Sequence, residues 1–483
     1  MNLLSITIFI PLIAALGVLL FRSKVQFISY ISVGATLVSS ILMLVAFDRN
    51  IHDFQFIQKY PLIKWVGLDF FIGIDGISLL LIALTSLLIF LCIIYSLKTV
   101  RDNLCEFIIC TFVLQFCING SFASLNLLLF YIFFEFSLVP MYIMILIWGG
   151  ENRVFASYKF FIYTLFGSFM FLASLMFIFS YAESLNILDL YDIENHFSSE
   201  ARSLLWAGLF IGFAIKIPMF FFHTWLPDAH VQAPTTASVL LAGILLKFGG
   251  YGFLRILLPL MPYTSKSFAF IPLILSVIAI IYASFVAMAQ EDMKKMIAYS
   301  SIAHMGYVTL GIFSLNHLGI LGAIIQMISH GLISGGLFFV IGMLYERMHT
   351  KKIENYGGTL KVMPSLGAYF LFLTLGSIGL PGTSGFIGEF LSLNGAFKVS
   401  FVLTTVSCFG VLLSAIYSLN LYKNIMLGPV KNRDILKICD IGLCEKIILM
   451  CLGALILIIG IYPNIITELL GLSISNLEAI QRL

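Results

Sequence analysis

The sequence predicts an all-α polytopic membrane protein, on three observations. Of its 483 residues, 60% are hydrophobic and only 11% charged, against about 25% charged in soluble domains. The apolar residues run continuously for the ~20 positions that a bilayer span needs, without the roughly ten-residue alternation of a membrane barrel. Four ionisable residues, Glu135, Lys216, Lys247 and Glu389, lie inside those runs. Lipid leaves unpaired backbone groups unsatisfied, so each run is expected to be a helix.

Taken in order, fourteen runs qualify, at about 2–21, 25–47, 77–97, 105–123, 124–147, 158–181, 203–222, 234–258, 268–289, 296–315, 317–345, 364–396, 400–427 and 443–462. No signal-peptide cleavage pattern follows the first run, which is expected to stay as a span. The polar stretches at about 48–70, 182–202, 346–363 and 429–446 are loop-sized, so one transmembrane domain over 1–483 is expected. Of the 27 lysines and arginines, 17 fall in odd-numbered loops (Arg22, Lys24, Arg153, Lys294, Lys295, Lys351, Lys352, Lys431 and Arg433 among them) and eight in even loops and tails. Positive-inside bias then puts the odd loops in the cytoplasm or matrix, with both termini on the periplasmic or intermembrane-space side.

Two spans are expected to be broken. Lys216-Ile217-Pro218 places a proline deep in the seventh run, where it removes a helical hydrogen bond and clashes one turn back. Gly379-Leu380-Pro381-Gly382-Thr383-Ser384-Gly385 interrupts the twelfth with poor helix formers. Matched breaks in two halves of a chain point to a transporter's midplane site. These breaks lie five spans apart, which fits two five-helix repeats, spans 4–8 (about 105–258) and 9–13 (about 268–427). Helices 1–97 and 443–463 flank them. An odd number of spans per repeat inverts the second relative to the first. The plainer reading is that Pro and Gly are simply commoner in membrane helices.

The buried charges carry the functional argument. Four of them cost on the order of 10 kcal/mol in a bilayer centre, and such residues mark ion or proton routes. For Glu135 and Lys216, burial opposes each charged form while the proximity of the other favours it. A pair that approaches and separates therefore loads and releases a proton; the alternative is a static buried salt bridge. Lys247, flanked by Gly243, Gly249 and Gly250, has no carboxylate in its own span and is read as a relay, against simple snorkelling. Glu389, four residues after Gly385, is the terminal candidate of the second half. His304 and His330 sit inside spans 10 and 11, where an imidazole suits an intermediate station or only a local hydrogen bond. His223 and His230, around Trp225-Leu226-Pro227-Asp228, are read first as an interfacial cap with a Trp anchor and second as an ion entrance.

Several other classes are excluded or unsupported. The net charge of +3 is spread thinly over the loops, which argues for no nucleic-acid partner. Gly249-Gly250-Tyr251-Gly252 fits no phosphate-cradling motif. The eight cysteines form no CxxC pair or His-flanked cluster, so no metal site is expected. No NADH, flavin or iron–sulfur site is visible.

The stretch from Lys216 to His230 with Gln232-Ala233-Pro234-Thr235, Leu241 to Lys247, Ala298 to His304, Ser329-His330-Gly331 and Leu380 to Phe390 resembles the antiporter-like, proton-translocating subunits of respiratory complex I, from about residue 70 to 430. The resemblance implies fourteen transmembrane helices and the inverted repeat. It implies Glu135 and Lys216 as the input pair, Lys247 as the central relay, His304 and His330 along a hydrated axis, and Glu389 feeding the exit half-channel. It also implies a translocase subunit in a bacterial plasma or mitochondrial inner membrane, beside other membrane-arm subunits that include two sibling antiporter-like chains. NADH, FMN, iron–sulfur clusters and quinone belong to partner subunits. Glutamate at 389, where two of the three antiporter-like members carry lysine, narrows the resemblance to the third. It also counts against the nearest rival, a sodium/proton antiporter subunit. A membrane subunit of a related hydrogenase complex and a purely structural spacer are more distant rivals. Gln232 and Phe221 stand where the family often has Glu and Pro, so no proton capture is assigned to that loop.

Overall fold

A computed structural model describes residues 2–182 and 184–482. Among the described residues twelve helices are long and apolar enough to cross a membrane. The first are α1 (Leu3–Leu20), α2 (Val25–Ala46), α3 (Gly76–Thr99) and α4 (Leu104–Ala123). The fifth run is jointed into α5 (Leu127–Phe136) and α6 (Leu138–Trp148). The joint at Ser137 lies just before Pro140, which has no N–H to return to Phe136, and it falls two residues after Glu135. Next come α7 (Arg153–Phe179), α8 (Ser199–Lys216), the short α9 (Trp225–Gln232) and α10 (Thr235–Leu260).

The seventh run, expected over 203–222, ends as a helix at Lys216. Pro218 cannot donate and its ring clashes one turn back, so the helix stops before it. The chain resumes with α11 (Pro262–Phe268), α12 (Phe270–Met288), α13 (Met293–Phe313) and α14 (His317–Met348). The twelfth run is α15 (Pro364–Ile378) and α16 (Ser384–Phe397). Gly379 at φ 79° closes α15 with its N–H on the Gly376 carbonyl, a left-handed cap that favours glycine. Last come α17 (Phe401–Met426), α18 (Leu443–Ile461) and α19 (Asn464–Arg482).

Two elements depart from the sequence expectation. The stretch 48–70, expected as loop, contributes to an antiparallel hairpin of β1 (Gln55–Ile63) and β2 (Leu68–Ile74), with Lys59 opposite Phe71 and Gly67 in the left-handed region. The helix-only rule holds inside hydrocarbon; water can satisfy strand edges outside it. Beyond the last expected span, α19 buries Leu469, Leu470 and Ser473. Its Ser473 hydroxyl accepts the Gly76 N–H at 3.0 Å, and a Cβ on Gly76 would overlap the Leu469 carbonyl.

The chain forms two compact units. Unit 1 comprises Met1–Ile217, Ile244–Ala269 and Glu468–Leu483; unit 2 comprises Pro218–Gly243 and Phe270–Thr467. The core of unit 1 is an aromatic cluster in which the rings of Phe130, Phe134, Phe171, Phe213 and Phe248 pack in stacked, edge-on and tilted pairs. In unit 2, α13 and α14 are buried almost throughout.

Candidate functional site

The first constellation lies in unit 1 and is built from helix ends. Glu135 is in the last turn of α5 and Lys216 is the last residue of α8. The Lys216 side chain is only 4% exposed, and its Nζ sits 4.5 Å from the centroid of the Phe134 ring, a cation–π contact strengthened by desolvation. Glu135 and Lys216 attract each other electrostatically. The Ser168 hydroxyl beside Glu135 donates to the Thr164 carbonyl at 3.0 Å, and Glu135 Oε2 is buried without a partner. The arrangement is a desolvated acid–base pair whose members sit on either side of a helix joint and a helix end. Small movements of those ends change its separation.

Lys247 is fully buried in α10. It follows a π-helical turn, Leu241–Leu245, and a second, Phe253–Leu257, lies beyond it; such bulges frequently mark functional sites. The helix seats against the end of α8 because residue 249 is glycine: a Cβ there would meet Ile217 N and Phe213 O at 2.6 Å. Phe134, the ring beneath Lys216, touches Phe248 beside Lys247 at 5.5 Å between centroids.

The same helix carries residues that sequence reasoning missed. At one-turn intervals after Lys247 come Tyr251 and Arg255. The Tyr251 hydroxyl donates to the Phe122 carbonyl at 3.0 Å and meets the Ser78 hydroxyl at 3.0 Å. Arg255, counted above among the loop cations, is buried and ion-paired with Asp75. The signal available was the i, i+4, i+8 spacing from Lys247, which puts all three on one helix face.

The second constellation lies in unit 2. Glu389 Oε1 is 2.7 Å from His304 Nδ1 and accepts from Gln326 Nε2 at 3.0 Å. His304 Nε2 is 3.2 Å from the Ser377 hydroxyl, at the end of α15. The His330 ring is 6.0 Å from that of His304, and Ser329 and Ser384 bond each other at 2.8 Å. These groups surround a cavity of about 10 Å³, room for about one water. Gly388 lets α16 approach α14, since a Cβ there would meet Gln326 at 2.5 Å. Glu389, His304 and His330 are therefore brought together. Gln326 and Ser377 join them without having been singled out from the sequence.

The interfacial reading of the Trp225 stretch is corrected. Trp225 is 1% exposed, and His230 is fully buried and stacked on Phe338 at 4.5 Å. The last carbonyls around α9 receive lysines instead: the buried Lys294 Nζ donates to Ala233 O at 2.7 Å and the half-buried Lys351 Nζ to Val231 O at 2.5 Å. This is the favourable end of the helix dipole for positive charge. Among the described residues, no group of three or more His, Cys, Asp or Glu is placed to hold a metal ion.

Comparison with known proteins bears on this geometry. The sequence model of the family described as NADH:quinone oxidoreductase/Mrp antiporter, TM, matches residues 124–416. The chain is 52% identical over 484 residues to the NADH-quinone oxidoreductase subunit M of Rickettsia bellii, covering 98% of each. It is 42% identical to the NADH-ubiquinone oxidoreductase chain 4 of Marchantia polymorpha, covering 98% of this chain and 96% of that one. A chain in the structure of respiratory complex I from Thermus thermophilus with bound NADH superimposes with a TM-score of 0.88 at 29% identity, over 99% of both.

Proposed function

The chain belongs to the NADH:quinone oxidoreductase/Mrp antiporter transmembrane family, and on that premise we propose that it is a proton-translocating membrane-arm subunit of a respiratory NADH:quinone oxidoreductase. NADH oxidation and quinone reduction take place on partner subunits, which hold the flavin, the iron–sulfur clusters and the quinone. Their energy reaches this chain as electrostatic and conformational change passed along neighbouring membrane-arm subunits, two of them sibling antiporter-like chains. The membrane is a bacterial plasma or mitochondrial inner membrane, with both termini on the outer side. Fourteen spans in two inverted five-helix repeats belong to the same reading; twelve helices among the described residues that are long enough to cross a membrane and the two interrupted segments support them.

In this mechanism Glu135 and Lys216 form the switch. Closing the pair stabilises the ammonium; opening it leaves Lys216 desolvated and drives its proton onward to Lys247. Glu389, with His304 and His330, is the terminal station. His304 can hold a proton on Nδ1 against the carboxylate while Nε2 meets Ser377, so the imidazole can pass a proton by exchanging which nitrogen carries it.

The observation that carries the proposal is the half-buried Glu135 in electrostatic reach of the buried Lys216 at the break of α8. The test is Glu135→Gln in native membrane vesicles, with quinone reduction and NADH-driven acidification followed together. Loss of both in an assembled complex is expected. Intact pumping would sink the proposal, and intact pumping with lost sodium tolerance would favour a cation/proton antiporter.

A further inference from the structure

Unit 2 contains a second polar cavity, of about 400 Å³, apart from the one around His304. Its walls include Glu291, Glu354 and Lys431 and, on α17, Tyr417, Asn420 and Asn424. Residues 291, 354 and 431 belong to odd-numbered loops, those richest in lysine and arginine. The three α17 residues share one helix face, spaced i, i+3, i+7. They run from the loops towards the helix interior.

Tyr417 closes that line. Its side chain is 2% exposed, and its hydroxyl is buried with no hydrogen-bond partner. An unbonded buried hydroxyl is costly, about 1–3 kcal/mol, unless water supplies the partner, and the cavity it lines has polar walls and room for water. Tyr417 also lies within electrostatic reach of Glu389, and Tyr307 within reach of both. The Tyr307 hydroxyl donates to the Ser407 carbonyl on α17 at 3.0 Å. Both phenols therefore lie near the terminal carboxylate, and Tyr417 also lines the cavity. At the mouth, Glu291 and Glu354 favour proton capture. Lys431, together with Lys352 at 3.6 Å from Glu354, opposes it.

We propose that this cavity is a water-filled intake from the odd-loop face of the membrane to Glu389, with Tyr417 as its inner relay. On the proposed reading of Glu389 as a relay, on which this inference rests, the second half of the chain is then loaded from its own side opening as well as from Lys247. Each step is a proton hop: a hydronium in the cavity gives its extra proton to the Tyr417 oxygen and becomes water, and the phenolic proton passes on to the Glu389 carboxylate, which becomes the acid.

The test uses the whole complex in sided membrane vesicles and reads protons moved per NADH oxidised in Tyr417→Phe, Glu389→Gln and Asn424→Cys. The cysteine variant is treated with a membrane-impermeant cationic methanethiosulfonate, and the treated parent corrects for the exposed Cys408 and Cys439. Because the Tyr417 hydroxyl bonds nothing in the protein, a purely structural tyrosine would lose nothing on conversion to Phe. The intake predicts that Tyr417→Phe lowers the ratio as far as Glu389→Gln does. It also predicts that labelled Asn424→Cys loses the same share only when the reagent meets the odd-loop face. Parental ratios in both, beside a lowered ratio in Glu389→Gln, would overturn it, as would blockage from the opposite face alone. A parental ratio in Glu389→Gln would instead remove the relay reading of that carboxylate, and the intake with it.

Discussion

The two buried sites solve one problem by different means. In unit 1 the acid and base are held by charge: Glu135 faces Lys216, Arg255 faces Asp75, and aromatic rings supply the walls. In unit 2 the carboxylate is held by hydrogen bonds, from His304 and Gln326, with serines and a water-sized cavity around it. A charge without its partner in a dry site is badly placed, so the proposed mechanism makes the unit 1 pair a switch with two distinct states. A hydrogen-bonded network shares its proton among several atoms, which suits transfer more than gating.

Lys216→Met should test this contrast most severely. It removes the cation that faces Glu135, and NADH-driven acidification of vesicles is expected to fall to background in an assembled complex; residual pumping would mean the pair is not a switch. Next comes Arg255→Met, which leaves Asp75 buried without its partner. Breaking such a pair costs about 3–5 kcal/mol, visible as a lower thermal inactivation temperature. Adding Asp75→Asn should recover part of the loss, because it removes the stranded charge yet can still cap Ser78 N–H. Failure of the double variant to recover would place the cost elsewhere.

On the hydrogen-bonded side the effects should be smaller. Gln326→Leu deletes one donor to a carboxylate, worth about 1.5–3 kcal/mol, while His304 still donates. Partial loss of turnover with the proton-to-NADH ratio retained is expected; a collapse as complete as that of Lys216→Met would erase the distinction. The mildest case is Asp440 in unit 2, outside the spans. Burial pushes its carboxyl up, but hydrogen bonds from the Ile441, Ser365 and Leu366 backbone and the Ser365 side chain outweigh this and hold it below its ordinary value. A carboxyl lowered in the folded state contributes stability above its unfolded value near pH 4, lost as pH falls through the lower folded value. Asp440→Asn keeps an acceptor but loses the charge, so it should destabilise slightly at neutral pH. Melts of parent and variant should converge on acidification; a difference constant with pH would rule out the carboxylate's charge as the cause.

Phe221 shows how local detail escaped the sequence. It adopts φ 75°, which a proline ring locked near −65° cannot reach. The turn after Lys216 is therefore not the one a proline would form, although the break itself was legible from Pro218. The hairpin in 48–70 was hidden because a polar stretch beside a span reads equally as coil, and strand pairing appears only when two segments meet.

Local physics accounts for what the sequence alone determined. Continuous apolarity sets the spans, Pro218 and the Gly379–Gly385 stretch interrupt two of them, and a charge within a span is costly wherever it ends up, which made Glu135, Lys216, Lys247 and Glu389 visible. Tertiary structure decided the partners. Asp75 reaches Arg255, Glu389 reaches His304 and Gln326, and His230 stacks on Phe338. Each pairing joins residues more than sixty positions apart. Periodicity reports which face of a helix is apolar, but only packing decides which helix that face meets.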